Sequence, residues 1–171
     1  KYFENTKPYI VHRLDKETSG ILIIAKSREY AQLFTSLFRI RKIHKTYIAL
    51  AHGKISSKKI TLRDDLVIIE NGKKIVQKAI SYLRLLKASS DYSYVELNPI
   101  TGRKHQLRKQ LYNIGNPIIG DDKYFINRRV GKSKVKNKNL LLHAYKIKFM
   151  INNIQYNFKA EYDQEFENFL K

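Results

Sequence analysis

Hydrophobic positions along the chain fall into short, separated patches. Ile21 to Ala25 (ILIIA) is a compact β-branched run, which predicts a buried strand. Ser27 follows where a helix N-cap belongs. Tyr30, Leu33, Phe34, Leu37 and Phe38 then recur at helical spacing, which predicts an amphipathic helix over Arg28 to Arg39. Arg39, Arg41, Lys42, His44 and Lys45 close it with positive charge, favourable at a helix C-terminus. Tyr47 to Ala51 reads as the next strand, followed by strands at Ala79 to Leu86 and Tyr92 to Leu97. From His105 to Ile114 a short helix carries Leu107, Leu111 and Ile114 on one face, and Gly115 supplies its stop. Tyr145 to Met150 and Ile154 to Ala160 form a predicted hairpin around Asn152-Asn153, and a last helix starts at Asp163. No repeat or long linker divides this pattern. It predicts one α+β domain over 1–171, a mixed and mainly antiparallel sheet with a few flanking helices.

Composition narrows the class. The chain has 171 residues, 43% of them hydrophobic, enough for a real core and too many for a disordered tail. Cysteine is absent, which excludes disulfides, thiolate metal sites and cysteine nucleophiles. No apolar run approaches the roughly 18 residues a membrane span needs. The opening Lys1-Tyr2-Phe3-Glu4-Asn5 is neither a signal peptide nor an initiator start, so the expectation is a cytoplasmic domain, either excised from a longer chain or a minimal natural form. Thirty-four Lys and Arg against fifteen Asp and Glu give a net charge of +19, a field that attracts polyanions. Mutational bias toward Lys, Ile and Asn accounts for some of the lysine, but not for so few acids. The basic run Lys132 to Lys138 reads as either a solvated loop or a contact to an RNA backbone, and the overall charge favours contact.

Candidate chemistry concentrates in His12-Arg13-Leu14-Asp15-Lys16-Glu17-Thr18-Ser19-Gly20, just ahead of the first apolar run. Asp15 is a loop carboxylate among cations, a setting that suits a nucleophile or general base; the same residues also fit a plain Asx turn. By residue type alone Tyr47 is a core tyrosine, Arg108 a solvated charge, and His105 and Gln106 helix-capping side chains. His12 and His143 have no acidic cluster around them in sequence, so no metal site is expected.

The segment 12–20 resembles the H-R-L-D-x-x-T-S-G motif of RluA-type pseudouridine synthases, with every fixed position present. Lys45-Thr46-Tyr47 is similar to that family's K-x-Y element. Thr101 to Arg108 (TGRKHQLR) resembles T-G-R-x-H-Q-hydrophobic-R, Pro117 to Asp121 (PIIGD) the element that follows it, and Leu142-His143-Ala144 the late L-H-A. The resemblance implies isomerisation of uridine to pseudouridine in RNA, large-subunit ribosomal RNA first and transfer RNA as the alternative, by a monomer using no metal or organic cofactor. It implies catalytic roles for Asp15, Tyr47 and Arg108, with Arg108 forming a bidentate pair to Asp15. Arg13, His12, Thr18, Lys45, Arg103, His105, Gln106 and Leu142 become the expected substrate- and RNA-binding residues. The family's strands before H-R-L-D and its small N-terminal RNA-binding domain have no counterpart here, and Lys109-Gln110 replaces an apolar residue and a histidine. A non-catalytic RNA-binding or assembly factor on the same scaffold is the competing expectation.

Overall fold

A computed structural model describes residues 7–125, 137–162 and 164–170. Positions 132–136 of the expected basic loop, and Asp163, lie outside the described residues.

The strands are β1 (Tyr9–Ile10), β2 (Ser19–Gly20), β3 (Ile24–Ala25), β4 (His44–His52), β5 (Lys59–Glu70), β6 (Lys73–Ala88), β7 (Tyr92–Pro99), β8 (Leu142–Ile151) and β9 (Ile154–Lys159). The helices are α1 (Arg28–Arg39), α2 (Gln106–Asn113) and α3 (Gln164–Leu170). Seven strands form one sheet in the order β2-β8-β4-β7-β6-β5, with β9 also on β8. Only the β2–β8 pair is parallel; the others in that sheet are antiparallel, as the pattern predicts.

Why these segments take these forms is local. Ser27 Oγ accepts the N–H of Tyr30 at 3.3 Å and starts α1, whose Phe34 packs on Ile147 and Phe149 of β8. Asn152 and Asn153 both have positive φ, 50° and 62°, the geometry that closes a two-residue hairpin between β8 and β9. In β4 the run from Tyr47 to His52 is buried without a break because helices cover both sides. Tyr47, Ala49 and Ala51 face Leu107 and Leu111 of α2, while Ile48 and Leu50 face Phe166 of α3.

One expectation fails. The run 21–25 is not a buried strand: only Ile24–Ala25 pair, with Tyr9–Ile10, and Leu22 and Ile24 are 45% and 42% exposed. Their side chains border an open apolar groove beside α1 and β9 rather than a closed core. Conversely, β5 escaped the pattern. The charged run Arg63-Asp64-Asp65 interrupts it, with Leu62 and Leu66 buried on either side. The missed signal was Asn71-Gly72, which closes the long β5–β6 hairpin with φ of 49° and 75°.

Two glycines hang the motif loops on this frame. At Gly20 φ is 102° and a Cβ would collide with the carbonyl of Ala144, so β2 lies flush against β8. At Gly120 φ is 79° and a Cβ would strike the backbone of Asn139.

Candidate active site

Asp15, Tyr47 and α2 meet at a cleft of about 170 Å³ at the end of the sheet. Drug-sized pockets run roughly 300–1,000 Å³, so this space suits one base rather than a longer ligand. Its floor is apolar, with Leu142 buried at the bottom and Leu14, Pro99 and Leu107 around it. Its polar wall carries Asp15, Thr18, Lys45, Tyr47, Arg103 and His105.

Asp15 stands at the start of a tight turn, where Thr18 N–H donates to its carbonyl at 2.9 Å. The chain does turn here, but the Asp15 main-chain carbonyl closes the turn rather than its side chain, so the expected Asx turn does not form and the carboxylate faces the cleft. Ser19 Oγ then bonds His143 Nδ1 of β8 at 2.8 Å, which ties the loop to the sheet. Arg108 Nη1 lies 3.9 Å from Asp15 Oδ2, and His105 Nε2 lies 3.8 Å from Oδ1. Both oxygens of one carboxylate are thus faced by nitrogen.

The bidentate pair expected between Arg108 and Asp15 belongs to another residue. Arg108 donates from Nε and Nη2 to the two oxygens of Asp121, at 2.8 and 2.7 Å. A guanidinium has one such fork on that edge, and the fully buried Asp121 occupies it. Arg108 is itself only 5% exposed, so it is not a solvated charge, and it stands behind Asp15 rather than in the cleft wall. Sequence reading gave Asp121 no role. The signal available was the rule that an arginine buried on a helix requires a carboxylate within reach.

Burial sets the proton affinities of the wall. It pushes the Tyr47 phenol up to about 12, with the Asp15 charge adding to the effect, so Tyr47 keeps its proton at neutral pH. Burial draws the Lys45 ammonium down. His105 is also drawn down, first by burial; Asp15 opposes that, while Arg108, Lys123 and Lys104 reinforce it. His105 occupies the left-handed region at φ 53°, unusual for a side chain with a Cβ and a mark of local constraint. Its Nδ1 is 2.8 Å from Tyr124 Oη.

The remaining expected residues divide. Arg13 is exposed at the cleft mouth, and Arg103 reaches back to donate from Nε to the Lys78 carbonyl at 3.2 Å. Thr18 Oγ1 is buried with no hydrogen-bond partner among the described residues, a polar atom beside the cleft that a ligand can satisfy. Gln106 lines the cleft, but its amide is already committed. Its Oε1 accepts from Thr101 Oγ1 and Arg103 N–H, and its Nε2 donates to Ile80 O and Ser81 Oγ. Gln110 continues this buried network by accepting from Ser81. His12 does not line the cleft: its Nε2 accepts the Ile23 N–H at 2.9 Å and its ring packs on Phe38. Among the described residues no cluster of His, Asp and Glu is arranged to hold a metal, and no helix is long and apolar enough to cross a membrane.

The chain is 35% identical to ribosomal large subunit pseudouridine synthase D of Borreliella burgdorferi, over 98% of this chain and 52% of that protein. It is 34% identical to tRNA pseudouridine synthase C of Haemophilus ducreyi, over 85% of this chain and 68% of that one. The chain thus spans about half the length of the first of these relatives. Among solved structures, human RNA pseudouridylate synthase domain containing 4 superposes with a TM-score of 0.76 at 26% identity, covering 95% of this chain and 74% of that one. The family model described as RNA pseudouridylate synthase matches residues 1–113, which takes in the Asp15 turn, Tyr47 and the whole of α2. By that match, and by the turn, strand and helix that bring Asp15, Tyr47 and His105 to one cleft, the chain belongs to the RNA pseudouridylate synthase family.

Proposed function

We propose that this chain isomerises uridine to pseudouridine in RNA, with large-subunit ribosomal RNA as substrate, acting as a monomer in the cytoplasm. The observation that carries the reading is Asp15: a carboxylate at the wall of a base-sized cleft, with a nitrogen group facing each oxygen. A module that only binds RNA has no use for an anion in a basic groove.

A uridine inside folded RNA is stacked, so it must swing out at a cost of a few kcal/mol before its glycosidic bond can be reached. Arg13 at the mouth is placed to meet the backbone or fill the vacated space. In the cleft the base lies on Leu142 and against the Tyr47 ring, a stacking contact worth roughly 1–3 kcal/mol. Asp15 then acts on the sugar by one of two routes. It attacks the anomeric carbon as the bond to N1 breaks, or it removes a ribose proton to leave a glycal. In either route uracil departs with the bonding pair, turns within the cleft and bonds C1′ through C5; in the first route this displaces the Asp15 carboxylate from C1′, and in the second Asp15 returns the ribose proton to the carbon that lost it. The C5 proton leaves last. Tyr47, protonated and lying beside the base, is placed to relay that proton to solvent. Thr18 Oγ1 supplies a hydrogen bond to ribose or base.

The relative from Haemophilus ducreyi, whose name assigns it to transfer RNA, makes a tRNA substrate the second reading. Incubating the purified chain with unmodified large-subunit ribosomal RNA and, separately, with unmodified tRNA, then mapping pseudouridine in each, decides between them. Pseudouridine in neither RNA would leave the chain an RNA-binding factor.

A further inference from the structure

Asp121 does more than neutralise Arg108. It is fully buried and every contact it makes is directional. Its Oδ2 takes Arg108 Nε, and its Oδ1 takes Arg108 Nη2 and the backbone N–H groups of Lys123 at 3.1 Å and Tyr124 at 2.9 Å. The fork leaves Nη1 as the guanidinium nitrogen turned to Asp15. The two backbone bonds set the start of the next turn, so the same carboxylate fixes Tyr124. That residue lies with its ring 5.2 Å from the Arg108 guanidinium carbon and its hydroxyl on His105 Nδ1.

The hydroxyl contact has a consequence for His105. A neutral imidazole carries one N–H, and Nε2 faces an oxygen of Asp15. A carboxylate oxygen accepts only, so a bare lone pair at Nε2 would be repelled. The favourable arrangement puts the proton on Nε2 and leaves Nδ1 as acceptor, which requires a donor opposite it. Tyr124 Oη is in that place. Burial raises the Tyr124 phenol above its usual range, with Arg108 opposing, so it keeps the proton it needs to donate.

We propose that the 121–124 segment is the positioning element of the reaction. Asp121 aims the Nη1 edge of Arg108 at one oxygen of Asp15, and Tyr124, donating to His105 Nδ1, selects the tautomer that presents Nε2–H to the other. Asp121 and Tyr124 are positioning residues, acting through Arg108 and His105. The proposal rests on the reading of Asp15 as the reacting carboxylate. It goes beyond that reading by assigning the carboxylate's aim to two residues that do not touch the base. Precise aim matters because a displacement of about 1 Å can cost on the order of 100-fold in rate.

The test uses Tyr124→Phe, which keeps the ring over Arg108 and removes only the hydroxyl, with Asp121→Asn as its companion. Long-range proton–nitrogen NMR of the full chain without RNA reads the His105 tautomer. Single-turnover isomerisation of large-subunit ribosomal RNA at saturating enzyme reads the chemical step. The wild type should show His105 protonated on Nε2. Tyr124→Phe should lose that preference and slow the step about tenfold or more, with RNA affinity within about twofold. A wild-type His105 protonated on Nδ1, or a Tyr124→Phe protein that keeps the wild-type rate, would overturn the proposal. If Asp121→Asn fails to fold, Tyr124→Phe still decides. A wild type that shows the Nε2–H tautomer yet modifies no RNA would strike at the proposed function and not at the network.

Discussion

Gly20 lies so close to Ala144 that no side chain fits between them, and Asp15 stands five residues earlier on the loop this contact anchors. Gly20→Ala forces the parallel pairing of β2 with β8 to open. Stability should fall by about 1–3 kcal/mol, from the strained φ and the separated strands. Activity should fall further than stability, because the displaced loop carries the carboxylate proposed to react. Urea titration and single-turnover rates on the same preparation give the two numbers.

Arg108→Lys keeps a positive charge and loses the fork. An ammonium cannot span both oxygens of Asp121 and also turn a donor to Asp15. The variant should lose most of its activity and about 1–3 kcal/mol of stability, since the buried Asp121 is left partly unsatisfied. A fully active and equally stable lysine variant would show that the fork contributes nothing.

Tyr47→Phe and Tyr47→Leu separate stacking from proton handling. RNA carrying 5-fluorouridine lacks the C5 proton whose loss completes the reaction, so it should be rearranged or held in a long-lived complex by the wild type. Tyr47→Phe should still hold it, because the ring remains, but turn over normal RNA slowly. Tyr47→Leu should do neither. Because burial pushes the Tyr47 phenol up to about 12, the wild-type rate should show no loss attributable to it between pH 7 and about 10. A rate that falls in that interval only when Tyr47 is present would contradict the burial of its hydroxyl.

His12 has a structural role with a pH signature. Burial first, and then Lys45, depress it from 6.5 to about 4, while its Nε2 accepts the Ile23 N–H. The unfolded chain therefore binds the proton more readily, and the folded state loses stability as pH falls from about 6.5 toward 4. After discounting for its partial exposure, the loss is about 2 kcal/mol. Urea unfolding at pH 7 and pH 4.5 should show that difference shrinking in His12→Gln. An unchanged pH dependence would place the titration elsewhere.

How legible all this was in the sequence depends on the range of the interactions. The α1 helix, its Ser27 cap and the Asn152-Asn153 hairpin were readable because a few neighbouring residues decide them. The 21–25 run misled because apolar β-branched residues look alike whether they enter a core or border an open groove. In the site, residue types and motif order brought Asp15, Tyr47, His105 and Leu142 together correctly. They could not say which carboxylate takes the fork of Arg108: Asp15 is 93 positions before it and Asp121 only 13 after, and both are within reach in space. Gln106 and His12 sit in motif positions beside the chemistry but spend their polar atoms on the fold. Motif membership does not separate such residues from those that face the substrate.

The central claim is that Asp15 breaks and remakes the glycosidic bond. Asp15→Asn keeps the shape of the side chain and removes its charge and nucleophilicity, and one carboxylate contributes little to the attraction between a chain of +19 and RNA. The direct measurement is pseudouridine formed in unmodified large-subunit ribosomal RNA by wild type and by Asp15→Asn, with RNA affinity determined alongside. The account predicts pseudouridine with the wild type, none with Asp15→Asn, and affinities within a few-fold of each other. Turnover by an Asp15→Asn protein shown by mass spectrometry to be free of deamidation would contradict it.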